Sequence, residues 1–189
     1  MHGSSAVNLV AARARQVATA QGLDPNTVPA QATRVAPESL VQPLLRDGLR
    51  LWRSRVGADG IYRLGRDGTI ADLVETGLLG PRTLLVTMTS DEPESWFVSY
   101  AGRTLDNLFA VPSIVGQRFV ELPSPGVTRT SAATIAATLP EARVAAHRIC
   151  GQAPGRAIAY DRLLLPVAGR RGAVNRFITL SQYVDGIAP

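Results

Sequence analysis

The sequence predicts an α+β fold in which helices flank an antiparallel sheet of about five strands. Three observations support this class. Apolar residues recur at helical spacing in the first third of the chain, and near residue 82 the pattern changes to the apolar–polar alternation of strands. The chain then ends in two apolar stretches that flank a Gly-Arg-Arg-Gly turn.

A short helix and a linker are predicted to precede the domain. The beginning of the chain is weakly amphipathic over residues 6–20, and Pro25 and Pro29 then follow with small polar residues between them. This composition indicates an extended linker. We therefore expect an N-terminal segment at 1–36 and a domain at 37–189.

Two helices are predicted at the start of the domain. Leu45, Leu49 and Trp52 recur at helical spacing within a helix over roughly 38–56. The segment "GTIADLVETGLLG" has an apolar stripe and begins with Thr69, a residue suited to an N-cap.

An antiparallel hairpin follows, with strands expected at 82–89 and 95–101. Alternation places Trp96, Val98 and Tyr100 on one face of the second strand. Short helical pieces are expected between this hairpin and residue 122.

The Ala-rich run "TSAATIAATLPEARVAAHRIC" is interpreted as helical, either as two helices or as one helix kinked at Pro140 and ending at Gly151. Two more strands are predicted at 156–167 and 173–183. The Arg170–Arg171 tip of their turn is expected to lie in water.

The charge raises the question of nucleic-acid binding. The net charge is +5 and the isoelectric point is about 10.3, yet the sequence contains no lysine, and all of its basic Lys/Arg residues are arginines. A phosphate-binding surface needs basic residues clustered on one element, and here they are scattered. Nucleic-acid binding is therefore kept only as an alternative.

The single cysteine, Cys150, excludes an intrachain disulfide and fits a reducing compartment, so the cytoplasm is the expected location. The chain has no apolar run of the length that a membrane-spanning helix needs.

Several segments resemble a bacterial family of PAS-like domains, common in alphaproteobacteria and often found as stand-alone proteins. The similarity covers roughly residues 40–184. It rests on the Trp52-Arg53 pair, on "FVSYAG" and "VGQRFVEL", and above all on the closing "YDRLLLPVAGRRGAVNRFITLSQY". Two features depart from the family: "YRLGRDGTIADL" lacks its Pro-Arg-x-x-Asp-Pro step, and the closing turn is basic where the family's is usually acidic.

The resemblance implies a half-open glove of antiparallel strands closed by helices, acting as a non-enzymatic sensory or protein-interaction module. One alternative is a small-molecule carrier or enzyme built on a similar α+β cup. The other is a basic protein associated with nucleic acid.

Five residues are proposed as the wall of a ligand pocket between the two hairpins, although the same pattern also suits an ordinary core. They are Trp96, Tyr100, Tyr160, Arg162 and Phe177. No catalytic residues and no metal ligands are predicted, because no nucleophile motif, phosphate loop or set of four zinc ligands is present.

No cofactor is predicted either. Haem-binding PAS domains use a histidine on the helix before the closing strands, so the resemblance makes His147 the residue to consider, with Cys150 on the same helix face. A helix-terminal histidine is the alternative interpretation. Cys150 lacks the Asn-Cys-Arg context of flavin photochemistry and is expected to be a small buried apolar residue.

A protein partner or a homodimer is expected to receive any signal. The stripe of Leu45, Leu49 and Trp52 could pair with the same stripe of a second copy. Alternatively, it could fold onto the sheet of its own chain.

Overall fold

The computed structural model describes residues 30–64, 70–109, 111–153, 156–169 and 172–184. Three sequence predictions fall outside these ranges: the helix at 6–20, the N-cap Thr69 and the turn tip Arg170–Arg171.

The described residues form one seven-stranded sheet. Its strands are β1 (Gln31–Val35), β2 (Tyr62–Arg63), β3 (Thr83–Thr87), β4 (Phe97–Ala101), β5 (Ala145–Ala153), β6 (Arg156–Ala168) and β7 (Val174–Tyr183). The order across the sheet is β1-β5-β6-β7-β3-β4, with each neighbouring pair antiparallel, while the two-residue β2 pairs in parallel with the end of β6. The predicted α+β class, with an antiparallel sheet flanked by helices, is confirmed, although the sheet has seven strands where about five were expected.

Helices cover both faces of this sheet. They are α1 (Pro43–Arg53), α2 (Ile70–Glu75), α3 (Arg103–Phe109) and α4 (Pro125–Thr138). The helices expected within 38–56 and after residue 69 correspond to α1 and α2. None of these helices, within the part of the chain that the structure describes, has the length and apolarity to cross a membrane.

The first face of the sheet packs against α1 and α2. Leu45, Leu49 and Trp52 of α1 are 0%, 6% and 1% exposed, and they join a core cluster with Leu163 of β6 and Leu180 of β7. Burial of each such side chain contributes roughly 1.5–3 kcal/mol. The stripe therefore folds onto its own sheet, as the second alternative expected, and is not free to pair with the same stripe of another copy.

The second face packs against α3, α4 and the segment at 111–122. Alternate residues of the same strands, among them Val86, Leu164 and Phe177, supply its core together with Trp96, the residue before β4. This segment also closes the outer edge of β4, where the Val98 amide donates to the carbonyl oxygen of residue 117 at 3.0 Å. Covering an edge strand in this way protects it from pairing with other chains.

The prediction that the second half of the Ala-rich run is helical is wrong, because residues 145–153 form strand β5. The helix α4 ends at Thr138, a short 3-10 turn follows, and Ala142 takes a left-handed conformation at φ 48° and ψ 34°. β5 then pairs with β1 on one side and with β6 on the other. Alanine favours helices intrinsically, but hydrogen bonding on both sides of a central strand overrides that preference.

Residues 31–35, which we interpreted as part of a linker, form the edge strand β1. All of them except Val35 are exposed, so the strand has no alternation to reveal it. The predicted domain boundary near residue 36 stays a prediction, although the strand before it already belongs to the sheet.

Candidate functional site

A row of polar residues crosses the second face of the sheet, the face that packs against α4. The strand register aligns Arg34 of β1, His147 of β5, Arg162 of β6 and Ser181 of β7. Arg82, the residue before β3, continues this polar row, because its carbonyl oxygen accepts a hydrogen bond from the Ser181 amide at 3.2 Å. Three guanidinium groups and an imidazole therefore share one row of one face.

Arg162 lies at the centre of the polar row and is only 2% exposed. Its Nη2 donates a hydrogen bond to the Thr134 hydroxyl of α4. Its Nε, however, has no hydrogen-bond partner among the described residues. Burial lowers the pKa of Arg162, since desolvation disfavours the charged form.

A cavity of about 60 Å³ lies beside Arg162, between α4 and the sheet. This is room for a few water molecules or one small organic molecule, and well below the several hundred Å³ of a site for a drug-sized ligand. The lining comes from α3, α4, β3, β6 and β7 and from the residues next to them: Arg82, Leu84, Thr104, Leu105, Phe109, Phe119, Ser124, Val127, Thr128, Ser131, Ile158, Tyr160, Arg162, Thr179, Ser181 and Tyr183.

The cavity has a buried end and a partly exposed rim. Arg162, Ser124 and Thr128 are each 2% exposed and form the buried end. Ser181 and Tyr183 are partly exposed and lie at the rim. A molecule could therefore enter past the end of β7 and reach Arg162.

The residue before α4 is strained and lies at the buried end. Ser124 has φ 130° and ψ 61°, a conformation that residues other than glycine rarely adopt. Its carbonyl oxygen accepts hydrogen bonds from the Val127 and Thr128 amides at 3.0 Å. Its hydroxyl is buried without a hydrogen-bond partner among the described residues. Strain and an unpartnered hydroxyl thus coincide at the positive end of the α4 dipole.

The aromatic part of the wall includes a pair of tyrosines in addition to Phe109 and Phe119. Tyr160 of β6 is directly opposite Tyr183 of β7, and their rings meet edge to face at a centroid distance of 6.5 Å and an angle of 78°. Such pairs are stabilising and hold both rings in place.

His147 lies on strand β5 and not on a helix. The haem interpretation assumed a histidine on the helix before the closing strands, so that assumption is wrong. His147 is 6% exposed beneath the helical layer, whereas Cys150 lies on the opposite face because residues three apart on a strand point to opposite sides. Burial and the neighbouring charges of Arg162 and Arg34 lower the pKa of His147 to about 4. The imidazole is therefore neutral near pH 7.

The five predicted wall residues separate into three groups. Tyr160 and Arg162 both line the cavity. Trp96 and Phe177 are on the same face but lie within the packed core, fully buried. Tyr100 is on the opposite face, against the cluster that contains α1. The ligand-binding role of these residues stays a prediction.

A β-bulge explains why Tyr100 does not share a face with Trp96 and Val98. Leu85 of β3 is opposite Tyr100, but the next residue, Val86, is opposite Val98, so one residue of β4 is extra. An extra residue of this kind reverses the alternation beyond it. The expectation that Trp96, Val98 and Tyr100 share one face is wrong for this reason.

The polar residues that α4 contributes were missed. Thr128 and Ser131 face the sheet, where an amphipathic pattern would place apolar residues. Arg129 is the only charged residue of α4, so the helix has no clearly charged outer face. That shortage of charge is the one signal in the sequence that could have drawn attention to the inward hydroxyls.

The described residues contain no group of three or more His, Cys, Asp or Glu side chains placed to hold a metal ion. Cys150 is half-buried, and burial raises the pKa of its thiol, which keeps it protonated and weakly nucleophilic.

Solved structures with similar folds include an RNA-binding light-oxygen-voltage receptor, with 16% sequence identity, a TM-score of 0.44, and coverage of 89% of this chain and 42% of that one. Another is VqmA bound to DPO, with 13% identity, a TM-score of 0.47, and coverage of 62% and 58%. A third is the light-state LOV domain of aureochrome1, with 12% identity, a TM-score of 0.43, and coverage of 62% and 91%. This chain thus spans less than two thirds of the first two.

No family model matches the chain, and no curated protein matches it. At 12–16% identity, the similar structures leave the function to be argued from this chain's own residues.

Proposed function

We propose that this chain is a non-enzymatic sensory module of the bacterial PAS-like type, which binds a small molecule in the cavity between α4 and the sheet. One observation carries the proposal: the cavity is lined by Arg162 and Ser124, and the Nε of the first and the hydroxyl of the second are buried without a hydrogen-bond partner among the described residues. Buried polar groups are nearly always satisfied, so two unsatisfied groups at one cavity point to a missing partner.

The chemistry of the lining supports binding rather than catalysis. The described residues around the cavity include hydroxyls, two tyrosines and two guanidinium groups, but no carboxylate, imidazole or thiol. General acid–base or nucleophilic catalysis near neutral pH draws mostly on the groups that are absent from this lining. We therefore assign a binding role to the cavity.

The output is proposed to be a protein partner or a second copy, reached through β1. Ala30, the residue before β1, donates its amide to the Gly126 carbonyl oxygen at 3.2 Å and accepts a hydrogen bond from the Thr130 hydroxyl at 2.9 Å. A molecule that moves the first turns of α4 would therefore shift the start of β1 as well. Coupling of this kind needs only that the ligand favours one of two arrangements.

Native mass spectrometry of the purified full chain tests the proposal. We expect a mass above that of the polypeptide, lost on denaturation, or a melting temperature raised by at least one compound of a small-metabolite set. Bound ligand stabilises the folded state by mass action.

A variant that blocks the rim separates cavity binding from surface binding. Ser181→Phe should place a ring at the partly exposed rim and abolish the retained mass or the stabilisation, whereas Ser113→Phe, at an exposed loop position, should not. Binding that survives Ser181→Phe unchanged would contradict the assignment to this cavity.

A carrier function would use the same cavity and differs only in its output. Ligand-dependent exchange of the β1 amides favours the sensor, because a carrier needs no signal at β1. Location in the cytoplasm remains part of the proposal and rests on the single cysteine.

A further inference from the structure

The charge around Arg162 is unbalanced on its own face of the sheet. The neighbouring Asp161 points to the opposite face, where it accepts hydrogen bonds from Arg148 at 2.8 and 2.9 Å and from Gln42 at 2.6 Å. No carboxylate among the described residues lines the cavity. A guanidinium stays charged in proteins, so this buried group lacks the counter-charge that its burial requires.

The other arginines of the polar row give the comparison. Arg34 at the edge is paired with Glu141 through two hydrogen bonds of 2.9 and 2.6 Å. Arg82 stands at the cavity rim and adds a second positive charge to the lining. The exposed Arg34 is therefore paired with a carboxylate, whereas the buried Arg162 lies beside a cavity that no described carboxylate lines.

The start of α4 adds to the same polarity. α4 has 14 residues, and its first turn, with Val127 and Thr128, borders the cavity. The Val127 and Thr128 amides already donate to the Ser124 carbonyl oxygen, but the helix dipole still favours negative charge at this end. An anion at the buried end would thus meet Arg162, the Ser124 hydroxyl and this helix end together.

The remaining walls limit what kind of anion fits. Leu105, Phe119 and Ile158 make much of the lining apolar, and the volume is about 60 Å³. A phosphate would press charged oxygens against these side chains, which is costly. A carboxylate with a short apolar chain would instead place its head at the guanidinium and its chain on the apolar wall.

We propose that the cavity binds a short-chain carboxylic acid as its anion, with the carboxylate held by Arg162 and the Ser124 hydroxyl; this assignment rests on the proposed ligand-binding function. Charge-assisted hydrogen bonds from a guanidinium to a carboxylate are among the strongest polar contacts in proteins. Arg162 is thereby the specificity-determining residue of the site.

Calorimetric titration of the full chain with sodium propionate tests this assignment, with propionamide as the neutral analogue of equal shape and sodium phosphate as a second anion. Ionic strength is matched with sodium chloride throughout. We expect saturable binding of propionate, at least tenfold weaker binding of propionamide, and no saturable binding of phosphate. Arg162→Gln should weaken propionate binding at least tenfold.

Arg176→Gln is the matched control, since Arg176 is a partly buried arginine whose position on β7 faces the other side of the sheet. It should bind propionate as the wild type does. If Arg162→Gln does not fold, the comparison of propionate with propionamide on the wild-type chain decides alone.

Equal binding of propionate and propionamide would overturn the carboxylate assignment and leave the proposed function standing. Binding of phosphate in preference to propionate would overturn it in favour of a phosphorylated ligand. If none of the three probes binds, the assignment fails, while a different molecule retained in native mass spectrometry would still support the proposed function.

Discussion

His147 lies between two guanidinium groups, so its protonation opposes folding. Its cross-strand neighbours are Arg34 and Arg162, and the carboxylate beside Arg34, that of Glu141, is already paired with Arg34. Burial is the larger cause of the lowered pKa, and the two positive charges add to it. The folded pKa is about 4, against about 6.5 in an unfolded chain.

This difference predicts a pH-dependent stability. Between these pKa values the unfolded chain binds more protons than the folded one, so the free energy of unfolding falls as the pH is lowered. From pH 7 to pH 5 the loss assigned to His147 is about 2 kcal/mol. Urea unfolding at several pH values measures it.

His147→Gln is the control, because glutamine fills similar space without titrating in this range. The variant should lose about 2 kcal/mol less than the wild type between pH 7 and pH 5. Parallel pH profiles for the two proteins would show that His147 is not the group responsible.

The sequence predicted the cavity residues correctly only where the apolar–polar alternation of a strand is not interrupted by a bulge. Tyr160 and Arg162 are two apart on β6 and share the cavity face, as the period of a strand requires. Tyr100 was misplaced by one extra residue in β4, which no local pattern announces. That Arg162 is buried depends on α4 above it, and therefore on packing between distant parts of the chain.

At the scale of elements, α1 is held by its own sheet rather than by a second copy. Leu49→Glu should lower the free energy of unfolding by about 2–5 kcal/mol, because it buries a charge that has no partner. The sedimentation mass should stay that of the wild type. Chemical unfolding and analytical ultracentrifugation provide the two measurements.

Arg46→Glu is the matched control on the same helix, at an exposed position. It should change the stability by about 0.5 kcal/mol or less. A change in mass with Leu49→Glu, from dimer to monomer and without a loss of stability, would contradict the packing of α1 described here.

The end of β4 depends on a close approach that only glycine allows. A Cβ atom at Gly102 would lie 2.3 Å from the backbone of Gly80 and Pro81. The Gly102 amide also donates a hydrogen bond to the Thr83 carbonyl oxygen at 2.8 Å. Because the obstacle is backbone, the strand end would have to move. Gly102→Ala should therefore cost about 1–3 kcal/mol in chemical unfolding.

Gly57→Ala provides the comparison, since the nearest atom to its Cβ would be a side-chain oxygen at 3.4 Å. This change should be close to neutral. Equal effects of the two substitutions would mean that β4 can shift without cost.

Strands with a recognisable apolar pattern were predicted from the sequence, and strands without one were missed. β3, β6 and β7 are apolar enough to be recognised from their sequence, and β6 and β7 flank a Gly-rich turn. β5 is rich in alanine and β1 is exposed, so each is a strand only because its neighbours offer hydrogen bonds. Propensity cannot reveal a strand whose cause is tertiary.

At the scale of the whole molecule, part of the positive charge is locally neutralised. Described ion pairs join Arg34 to Glu141, Arg50 to Asp47, Arg53 to Glu38, Arg63 to Asp59 and Arg148 to Asp161. A surface that binds phosphates in series would leave its arginines available. Arg162 differs from these five arginines in being buried beside a cavity that no described carboxylate lines, which favours it as the place where an anion acts.

Hydrogen–deuterium exchange of the full chain, with and without saturating propionate, tests whether the cavity beside Arg162 binds a carboxylate and whether α4 passes the effect to β1. We predict slower exchange in residues 125–131, in 160–162 and 181–183, and in β1, with no change in α1. Protection centred on α1, or no change anywhere in α4, would contradict the account.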